Sequence, residues 1–510
     1  MKNGQTPSIH VDVSGRTLAR NTMLNLLGQV VPMVSAVFAA PYVIHHLGPD
    51  RYGLYSLALI VVGYFALFNL GIGPATTKYV AELLGKREAE KLPQLVWTAV
   101  ATQLCLGLTG GILLAAASPV LVEHVLKIPA SLHPQARMIF LIMALALPID
   151  FVAGSFSGVL AASQRFDLLN AVNIPAGALM SVIPAGIIAL GYGLPTIVIF
   201  LVLLRAMNIT LNIFFALRIF PNLGRIHFDF SLVRSLLGFG GWVTISGIVS
   251  PILVYFDQFL IGAVLSVGAV GFYAPPYSIA SKLSVLPSCL MGTLSPAFST
   301  SAGRGDSEWI RSALIRSLKF LILLIGPAAL LLAFFARPLL TFWLGAKFAN
   351  EGALPLQILA GGVLVNSLAY VPYSLLQGMG RPDLTAKFHL AELPIHIALA
   401  WFLVLHFSLP GAALAWTFRV TLDFVLLIIA ACWVTRTSPL QFAGKELRRS
   451  VWALAVLGIG LFLLWFSTRL FIADAAVTLL LSGGFLFVVW YYVLNLEEKW
   501  QIRVWLKRER

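Results

Sequence analysis

Runs of about 20 apolar residues recur along the whole chain, and short polar stretches separate them. Each run is long enough to cross a hydrocarbon core of about 30 Å as a helix. Because lipid offers the backbone no hydrogen-bond partners, such a run must satisfy its own N–H and C=O groups as a helix. The pattern predicts an all-α polytopic membrane protein with about fourteen transmembrane helices. The predicted spans lie near 22–45, 53–80, 94–117, 138–162, 168–190, 195–218, 236–263, 270–298, 314–336, 352–378, 385–408, 410–434, 450–470 and 474–495.

The polar positions at the span ends reveal an internal duplication. The stretch Leu47–Glu88 aligns with residues 265–306 at a shift of 218, and Arg165-Phe-Asp167 aligns with Arg381-Pro-Asp383 at a shift of 216. Apolar sequence matches apolar sequence by chance, so the glycine, tyrosine, arginine and aspartate matches carry the argument. We assign structural roles in the repeat to Gly53, Tyr55, Lys78, Gly271, Tyr273, Arg165 and Arg381.

The duplication predicts two homologous lobes of six helices each. Six is even, so both lobes enter the membrane in the same direction, as parallel repeats do. The last two spans lie outside the duplication. The predicted domains are a cytoplasmic N-terminal segment (1–21), an N-lobe (22–219), a cytoplasmic linker (220–235), a C-lobe (236–435), a cytoplasmic loop (436–449), two extra helices (450–495) and a basic cytoplasmic tail (496–510).

Composition and charge support the membrane assignment and orient the chain. Hydrophobic residues make up 59% and charged residues only 11%, against about 25% charged in a soluble domain. With the N-terminus inside, 26 of the 35 Lys and Arg residues fall in cytoplasmic segments and 6 fall outside, as the positive-inside rule requires. This distribution accounts for the net charge of +14 by a basic inner face on an anionic leaflet, without a nucleic-acid partner.

Three basic residues lie within predicted spans: Arg205, Lys282 and Arg419. An ionisable group at mid-bilayer is costly and usually faces a partner or a wet cavity. Arg205 and Arg419 are 214 residues apart, close to the repeat offset, so each lobe contributes one midplane arginine. With Lys282 they are predicted to line a cationic cavity that suits a diphosphate, because Arg binds phosphate oxygens as a fork and Lys as a point charge.

The acidic residues within or near the spans are candidates for ion pairing or for coupling transport to an ion. They are Asp150, Asp257, Glu392 and Asp423. Arg419 and Asp423 lie four residues apart on one helix face, so a satisfied pair is an equal alternative. His389, Glu392 and His396 form one stripe, but two ligands are too few for a metal site, and none is predicted. Asp257 and Lys78 lie near the interfaces, where a side chain can extend to water.

Several short motifs resemble the polysaccharide transporter family, the lipid-linked oligosaccharide (O-antigen type) flippases of the multidrug/oligosaccharidyl-lipid/polysaccharide exporter (MOP) superfamily. They are LG…YGLYSLAL, LGIGPATTKYVAE and GKRE within Leu47–Glu88, and the segments Asp257–Gly262 and Leu376–Arg381. The resemblance covers most of residues 15–435. It implies two six-helix lobes around a central cationic cavity, in the plasma (bacterial inner) membrane with both termini cytoplasmic.

The implied substrate is an undecaprenyl-diphosphate-linked glycan that is moved from the inner to the outer leaflet. The implied partners are this glycan, membrane lipids and other polysaccharide assembly proteins. No cofactor is implied, and H⁺ and Na⁺ are the candidate coupling ions. The family offers no catalytic motif, so the candidate residues rest on the charge argument.

Three other functions stay open. A lipid II flippase shares the fourteen-span count. A cation-coupled multidrug exporter of the same superfamily would prefer acidic groups in its cavity, which the three cations oppose. A membrane-embedded glycosyltransferase or polymerase would need paired carboxylates on the external face, where the longest predicted loop, 118–137, offers only Glu123. We therefore predict a transporter and not an enzyme.

Overall fold

The structure is a computed structural model of the 510-residue chain. It describes residues 15–65, 72–86, 88–163, 165–289, 294, 298, 301, 306–436, 444–467, 471–496 and 498–500. These residues form helices and turns, and no strand occurs among them. They group into two compact units, Met1–Gly271 and Phe272–Arg510.

The first unit contains seven helices and the start of an eighth. They are α1 (Gly15–Phe65), α2 (Ile72–Gly85), α3 (Leu92–Val120), α4 (His133–Ala162), α5 (Phe166–Ala189), α6 (Leu194–Ile219), α7 (Ser231–Val264) and α8 (Val267–Ser281). Gly48 divides α1, because its φ of 71° and ψ of 171° are not helical. Pro49 follows, and proline is favoured at the first position of a helix. The break falls where the sequence predicts the loop between the first two spans.

Helix α4 organises the first unit by packing against α2, α3 and α6. Its C-terminal half contributes Phe156, Val159 and Leu160 to an apolar cluster with Ile72 of α2 and Leu92 of α3. Helix α5 packs against α1 and α6. These contacts bring α4, α5 and α6 together, and their facing sides carry the polar residues described below.

The two repeat-related glycines Gly53 and Gly271 contact each other within the first unit. A Cβ on Gly53 would overlap the carbonyl oxygen of Val267 and lie 2.9 Å from the Gly271 nitrogen. A Cβ on Gly271 would overlap the carbonyl oxygen of Pro49. Small residues allow helix backbones to approach this closely in a membrane. The glycine match in the sequence therefore marks a backbone contact between α1 and α8.

Among its described residues, the second unit contains the end of α8 and six further α-helices of more than eight residues. They are α9 (Ser307–Phe334), α10 (Ala336–Leu344), α11 (Ala346–Gly378), α12 (Pro382–Thr435), α13 (Lys445–Ser467) and α14 (Phe471–Val488). Helix α12 is divided at Ser408, whose φ of 51° and ψ of −130° are not helical. The two parts correspond to the predicted spans 385–408 and 410–434.

The Arg-X-Asp pair of the duplication forms the same turn in both units. Arg165 donates from Nε to Asp167 Oδ1 at 2.9 Å and from Nη2 to Oδ2 at 2.9 Å. Arg381 makes the same fork to Asp383, at 3.0 Å and 3.2 Å. Each arginine immediately precedes a helix, α5 or α12, and each aspartate lies in its first turn. An anion there is favourable because the helix dipole is positive at its N-terminus.

A buried ion pair holds the C-terminal residues against α9. Lys319 of α9 is fully buried, and its Nζ lies 2.7 Å from Glu498 and 3.3 Å from Glu446. Glu498 also accepts from the backbone N–H of Asn495, and the Asn495 side chain accepts from the N–H of Glu498. This reciprocal arrangement is a capping box. Sequence analysis counted Lys319 with the cytoplasmic residues and gave no indication of this pairing.

Nine helical segments among the described residues are long and apolar enough to cross a membrane. They include Ala89–Val125, Ala130–Ala162 and Ser307–Phe334, which coincide with predicted spans. The chain is a multi-pass helical membrane protein, as predicted. The count of fourteen spans and the lobe boundaries stay predictions.

The Gly53–Gly271 contact generates a stability prediction. We expect Gly53→Ala to lower the free energy of unfolding in detergent by about 1–3 kcal/mol, because the added methyl group has no space and the two backbones must separate. Gly186→Ala is the control, since a Cβ at this α5 position has no neighbour within 4 Å and alanine favours a helix. Equal stability of Gly53→Ala and wild type would contradict the close contact.

The Lys319 ion pair generates a second stability prediction. We expect Lys319→Met to lower the free energy of unfolding by about 3–5 kcal/mol, because Glu498 is left buried without its partner. The double variant Lys319→Met/Glu498→Met should recover most of this loss, since no unpaired charge remains. Lys86→Met is the control. Its pair with Glu82 is 60% and 45% exposed, so no measurable change is expected. A Lys319→Met protein as stable as wild type would argue against the pairing.

Candidate functional site

The first unit contains an ion pair between two of its helices, α4 and α6. Arg205 of α6 donates from Nη1 to Oδ2 of Asp150 on α4. The two side chains are 25% and 26% exposed, so both are mostly buried but still partly accessible from outside the protein. Pairing removes the penalty that either charge would carry alone in a membrane. Two residues that the sequence proposes for different roles, cation site and coupling site, therefore lie together.

Asparagines extend this polar site along α6. Arg205, Asn208 and Asn212 follow the i, i+3, i+7 spacing of one helix face. Asn208 donates to Oδ1 of Asn173 on α5 at 3.2 Å, and Asn212 donates to Oδ1 of Asn208 at 2.8 Å. Asn173 is exposed and Asn208 half-buried. Amides left open inside a membrane helix normally face water or another polar group. We call Asn173, Asn208 and Asn212 the amide ladder.

The amide ladder was not predicted from the sequence, because the candidate transport residues were chosen by charge. The spacing of asparagines on α6 was the available signal. Tyr55, a residue of the repeat, lies on α1 within electrostatic range of Arg205. The polar site of the first unit thus combines an arginine, a carboxylate and several amides, with a tyrosine nearby.

The second unit has a separate buried cluster on α12. The first part of α12 contributes His389, Glu392 and His396, and the second part contributes Arg419 and Asp423. Glu392 and His396 are 1% exposed, and Arg419 and Asp423 are 8% exposed. His389 Nε2 lies 3.9 Å from Asp423 Oδ1. The two parts face each other because the chain reverses at Ser408.

Charges of both signs are close together in this cluster. Glu392 and Asp423 interact with each other and with Arg419. The Nε of Arg419 and the Nδ1 of His389 make no hydrogen bond to any described residue. The predicted Arg419–Asp423 pair therefore stays a prediction within a larger group, in which His389 also lies close to Asp423. A buried group of carboxyls, imidazoles and a guanidinium can hold and exchange a proton.

The remaining candidates lie elsewhere. Asp257 of α7 is fully buried in the first unit, so it does not extend to water. Lys282 is exposed in the second unit, in a short 3₁₀ turn directly after α8. Lys78 lies on α2, and its side chain falls outside the described residues. Arg205 belongs to one unit and Lys282 and Arg419 to the other, so a cavity shared by all three stays a prediction.

In the part of the chain that the structure describes, no group of three or more His, Cys, Asp or Glu residues is arranged to hold a metal ion.

The Asp150–Arg205 pair generates a prediction that needs no substrate. We expect Asp150→Ala and Arg205→Ala each to lower stability in detergent, and the double variant to lose less than their sum, with a coupling energy of about 0.5–3 kcal/mol. The physical reason is that each single change leaves one charge unpaired. The same cycle on Arg165 and Asp167, whose side chains are 43% and 38% exposed, should give a smaller coupling. Additive losses at Asp150 and Arg205 would contradict a direct pair.

Known proteins resemble this chain along most of its length. Residues 46–352 match the family described as polysaccharide biosynthesis protein. A Shigella flexneri protein named for O-antigen transport is 26% identical over 411 residues, which cover 81% of this chain and 97% of that protein.

Solved structures share the fold. The lipid II flippase MurJ, in an inward closed conformation, aligns with a TM-score of 0.69 at 14% identity over 92% of this chain and 98% of that one. An inward-facing multidrug resistance MATE family transporter of the MOP superfamily aligns with a TM-score of 0.63 at 15% identity over 82% and 98%. Identities this low establish the polytopic helical fold and nothing more specific.

The family match covers more than half of the chain, in agreement with the resemblance carried by Leu47–Glu88. The chain therefore belongs to the polysaccharide biosynthesis protein family.

Proposed function

We propose that this protein is a flippase that moves a polyprenyl-diphosphate-linked oligosaccharide from the inner to the outer leaflet of the plasma membrane, for cell-surface polysaccharide synthesis. The observation that carries the proposal is the amide ladder beside Arg205. A flippase for this substrate must replace the water around many sugar hydroxyls and a diphosphate while both cross the membrane.

The amide ladder suits the glycan. Each asparagine side chain has two N–H donors and a carbonyl acceptor, so a row of amides can exchange its internal hydrogen bonds for bonds to hydroxyl groups. Asn173 and Asn208 lie near the surface of the first unit and would make these contacts first. The ladder tolerates different sugars because amide groups bind hydroxyls without fixing one ring geometry.

Arg205 suits the diphosphate. Its guanidinium has five N–H donors and contacts Asp150 through Nη1, so donors remain for phosphate oxygens. Arg419 and Lys282 are the further cations proposed for the cavity. A phosphate on Arg205 would compete with Asp150, and the released carboxylate would take up a proton. Substrate binding and proton movement would be linked in this way.

Ion coupling is the proposed driving force, with H⁺ or Na⁺ as the coupling ion. Asp150, Glu392, Asp423 and Asp257 are the acidic candidates. The α12 cluster is the favoured proton site, because carboxyls, imidazoles and Arg419 compete there for a small number of charges. The two lobes would alternate access to the cavity, in the inner membrane with both termini cytoplasmic. Other polysaccharide assembly proteins are proposed as partners.

The relative named for O-antigen transport favours glycan transport over the alternatives, because the alignment covers 97% of that protein. The MurJ and MATE likenesses leave a lipid II flippase and a multidrug exporter as second candidates, since they concern the fold alone. A glycosyltransferase or polymerase is disfavoured by the transporter relatives.

A translocation assay tests the proposal. We expect wild-type protein in proteoliposomes to move a fluorescent undecaprenyl-diphosphate oligosaccharide between leaflets, and Arg205→Ala to lower the rate about 10- to 100-fold, as the loss of a charged hydrogen bond of about 1.5–3 kcal/mol implies. Asn208→Ala should slow a long oligosaccharide more than a single sugar. Thr210→Ala is the control, because Thr210 is exposed on α6 and bonds only to its own helix.

Two results would overturn the proposal. One is wild-type protein that moves no diphosphate-linked glycan but exports cationic dyes on a proton gradient, which favours the drug exporter. The other is a properly folded Arg205→Ala protein that translocates at the wild-type rate, which removes the arginine from substrate binding.

A further inference from the structure

The second Arg-X-Asp turn lies at the mouth of a cavity of about 670 Å³. The cavity lies entirely within the second unit, where the start of α12 meets its end. Its lining residues are Arg381, Ile429, Cys432, Trp433, Val434 and Arg436. The proposed transport function makes no use of this site, which lies at the predicted cytoplasmic end of the helices.

Two guanidinium groups give the cavity a positive character. Arg381 uses Nε and Nη2 in its fork to Asp383, and its other donors stay available. Arg436 is exposed and lies directly after α12 in the left-handed region, with φ of 52°. Two arginines that line one cavity suit an oxyanion, because guanidinium groups bind phosphate oxygens as forks.

Trp433 connects the positive site to an apolar surface. The Arg381 guanidinium lies over its ring, 5.2 Å from the centroid, a cation–π contact that orients the arginine. Trp433 is nevertheless 64% exposed. Tryptophan is enriched at membrane–water interfaces, where its ring lies at the level of the headgroups.

An exposed apolar stripe leads away from the cavity along α12. Val425, Ile429 and Trp433 follow a four-residue spacing on one helix face, and their exposed fractions are 46%, 56% and 64%. A water-soluble anion would have no use for this stripe. A phospholipid would, because its acyl chains can lie along it while the phosphate reaches Arg381 and Arg436.

The corresponding turn of the first unit lacks these features. Arg165 makes the same fork, but the segment after α6 continues as a 3₁₀ turn, Pro221–Gly224, that packs against α3. Leu223 is fully buried there, and its carbonyl accepts a hydrogen bond from Trp97 at 2.8 Å. The end of α6 is thus covered by its own chain, whereas the described residues at the end of α12 line the cavity beside Arg381.

We propose that Arg381, Arg436 and Trp433 form a binding site for the headgroup of an anionic phospholipid of the inner leaflet. The phosphate contacts the two guanidinium groups, and the acyl chains follow Ile429 and Val425 toward the bilayer interior. Basic pockets on the cytoplasmic side of membrane proteins bind anionic headgroups by this combination of charge and apolar surface.

Native mass spectrometry of the full-length protein tests the site, with phosphatidylglycerol as the anionic probe and phosphatidylethanolamine as the zwitterionic one. We expect wild type to prefer phosphatidylglycerol. Arg436→Gln should lower this affinity about fivefold, since one basic residue near a membrane surface contributes about 1 kcal/mol, and should leave phosphatidylethanolamine binding unchanged. Trp433→Leu should lower the affinity for both lipids.

The controls separate this site from general charge effects. Arg165→Gln removes the same fork in the first unit and should bind phosphatidylglycerol as wild type does. Arg381→Gln also disrupts a structural turn, which can by itself prevent folding. Arg436→Gln keeps the Arg381–Asp383 fork, so it is the variant that tests the lipid site if Arg381→Gln does not fold. Equal phosphatidylglycerol binding by wild type and Arg436→Gln would overturn the proposal, as would an equal loss in Arg165→Gln. Displacement of the lipid by millimolar inorganic pyrophosphate would assign the site to a soluble anion instead.

Discussion

The inability of lipid to solvate charge is the constraint on which this structure depends. Backbone groups meet it by forming helices, and charged side chains meet it by pairing within the same compact unit. Asp150 pairs with Arg205 across α4 and α6, and Lys319 pairs with two glutamates. Asp423 lies 3.9 Å from His389 across the two parts of α12. Each pair joins different helices or helix parts, so each also fixes how those helices pack. Under the proposed function, a substrate phosphate or a proton would compete with one partner of such a pair.

The duplication is retained at two kinds of position, for two physical reasons. Gly53 and Gly271 are retained where backbones approach too closely for a side chain. The Arg-X-Asp forks are retained where a turn must end one helix and begin another. Between these points the copies have diverged, and their polar residues differ in kind: amides accompany Arg205 in the first unit, and histidines with carboxyls accompany Arg419 in the second. The two halves therefore have a common frame and different chemistry.

Much of the fold could be predicted from the sequence, because the length and apolar composition of membrane helices identify them. The division of α12 at Ser408 falls at the junction of two predicted spans, and the repeated Arg-X-Asp motif gave Arg165 and Arg381 matching structural roles. Partners on different helices could not be predicted in this way. The spacing of Arg419 and Asp423 on one helix suggested their pairing, but it could not show that His389 from the facing part of α12 lies 3.9 Å from Asp423. The Asp150–Arg205 pair depends on how α4 packs against α6, which no local pattern specifies. The amide ladder was missed for a different reason, since neutral side chains do not disturb a hydropathy profile.

The pairing of Lys319 has a consequence for the order of assembly. Lys319 and Glu498 are 179 residues apart in the chain, so α9 is synthesised long before the more buried of the two carboxylates that pair with its lysine. During that interval the other carboxylate, Glu446, whose side chain is 47% exposed, is the available partner, and a charge without a buried partner is costly to bury. Chains of this size fold through intermediates. The burial of Lys319 with both of its partners therefore requires that synthesis has passed Glu498.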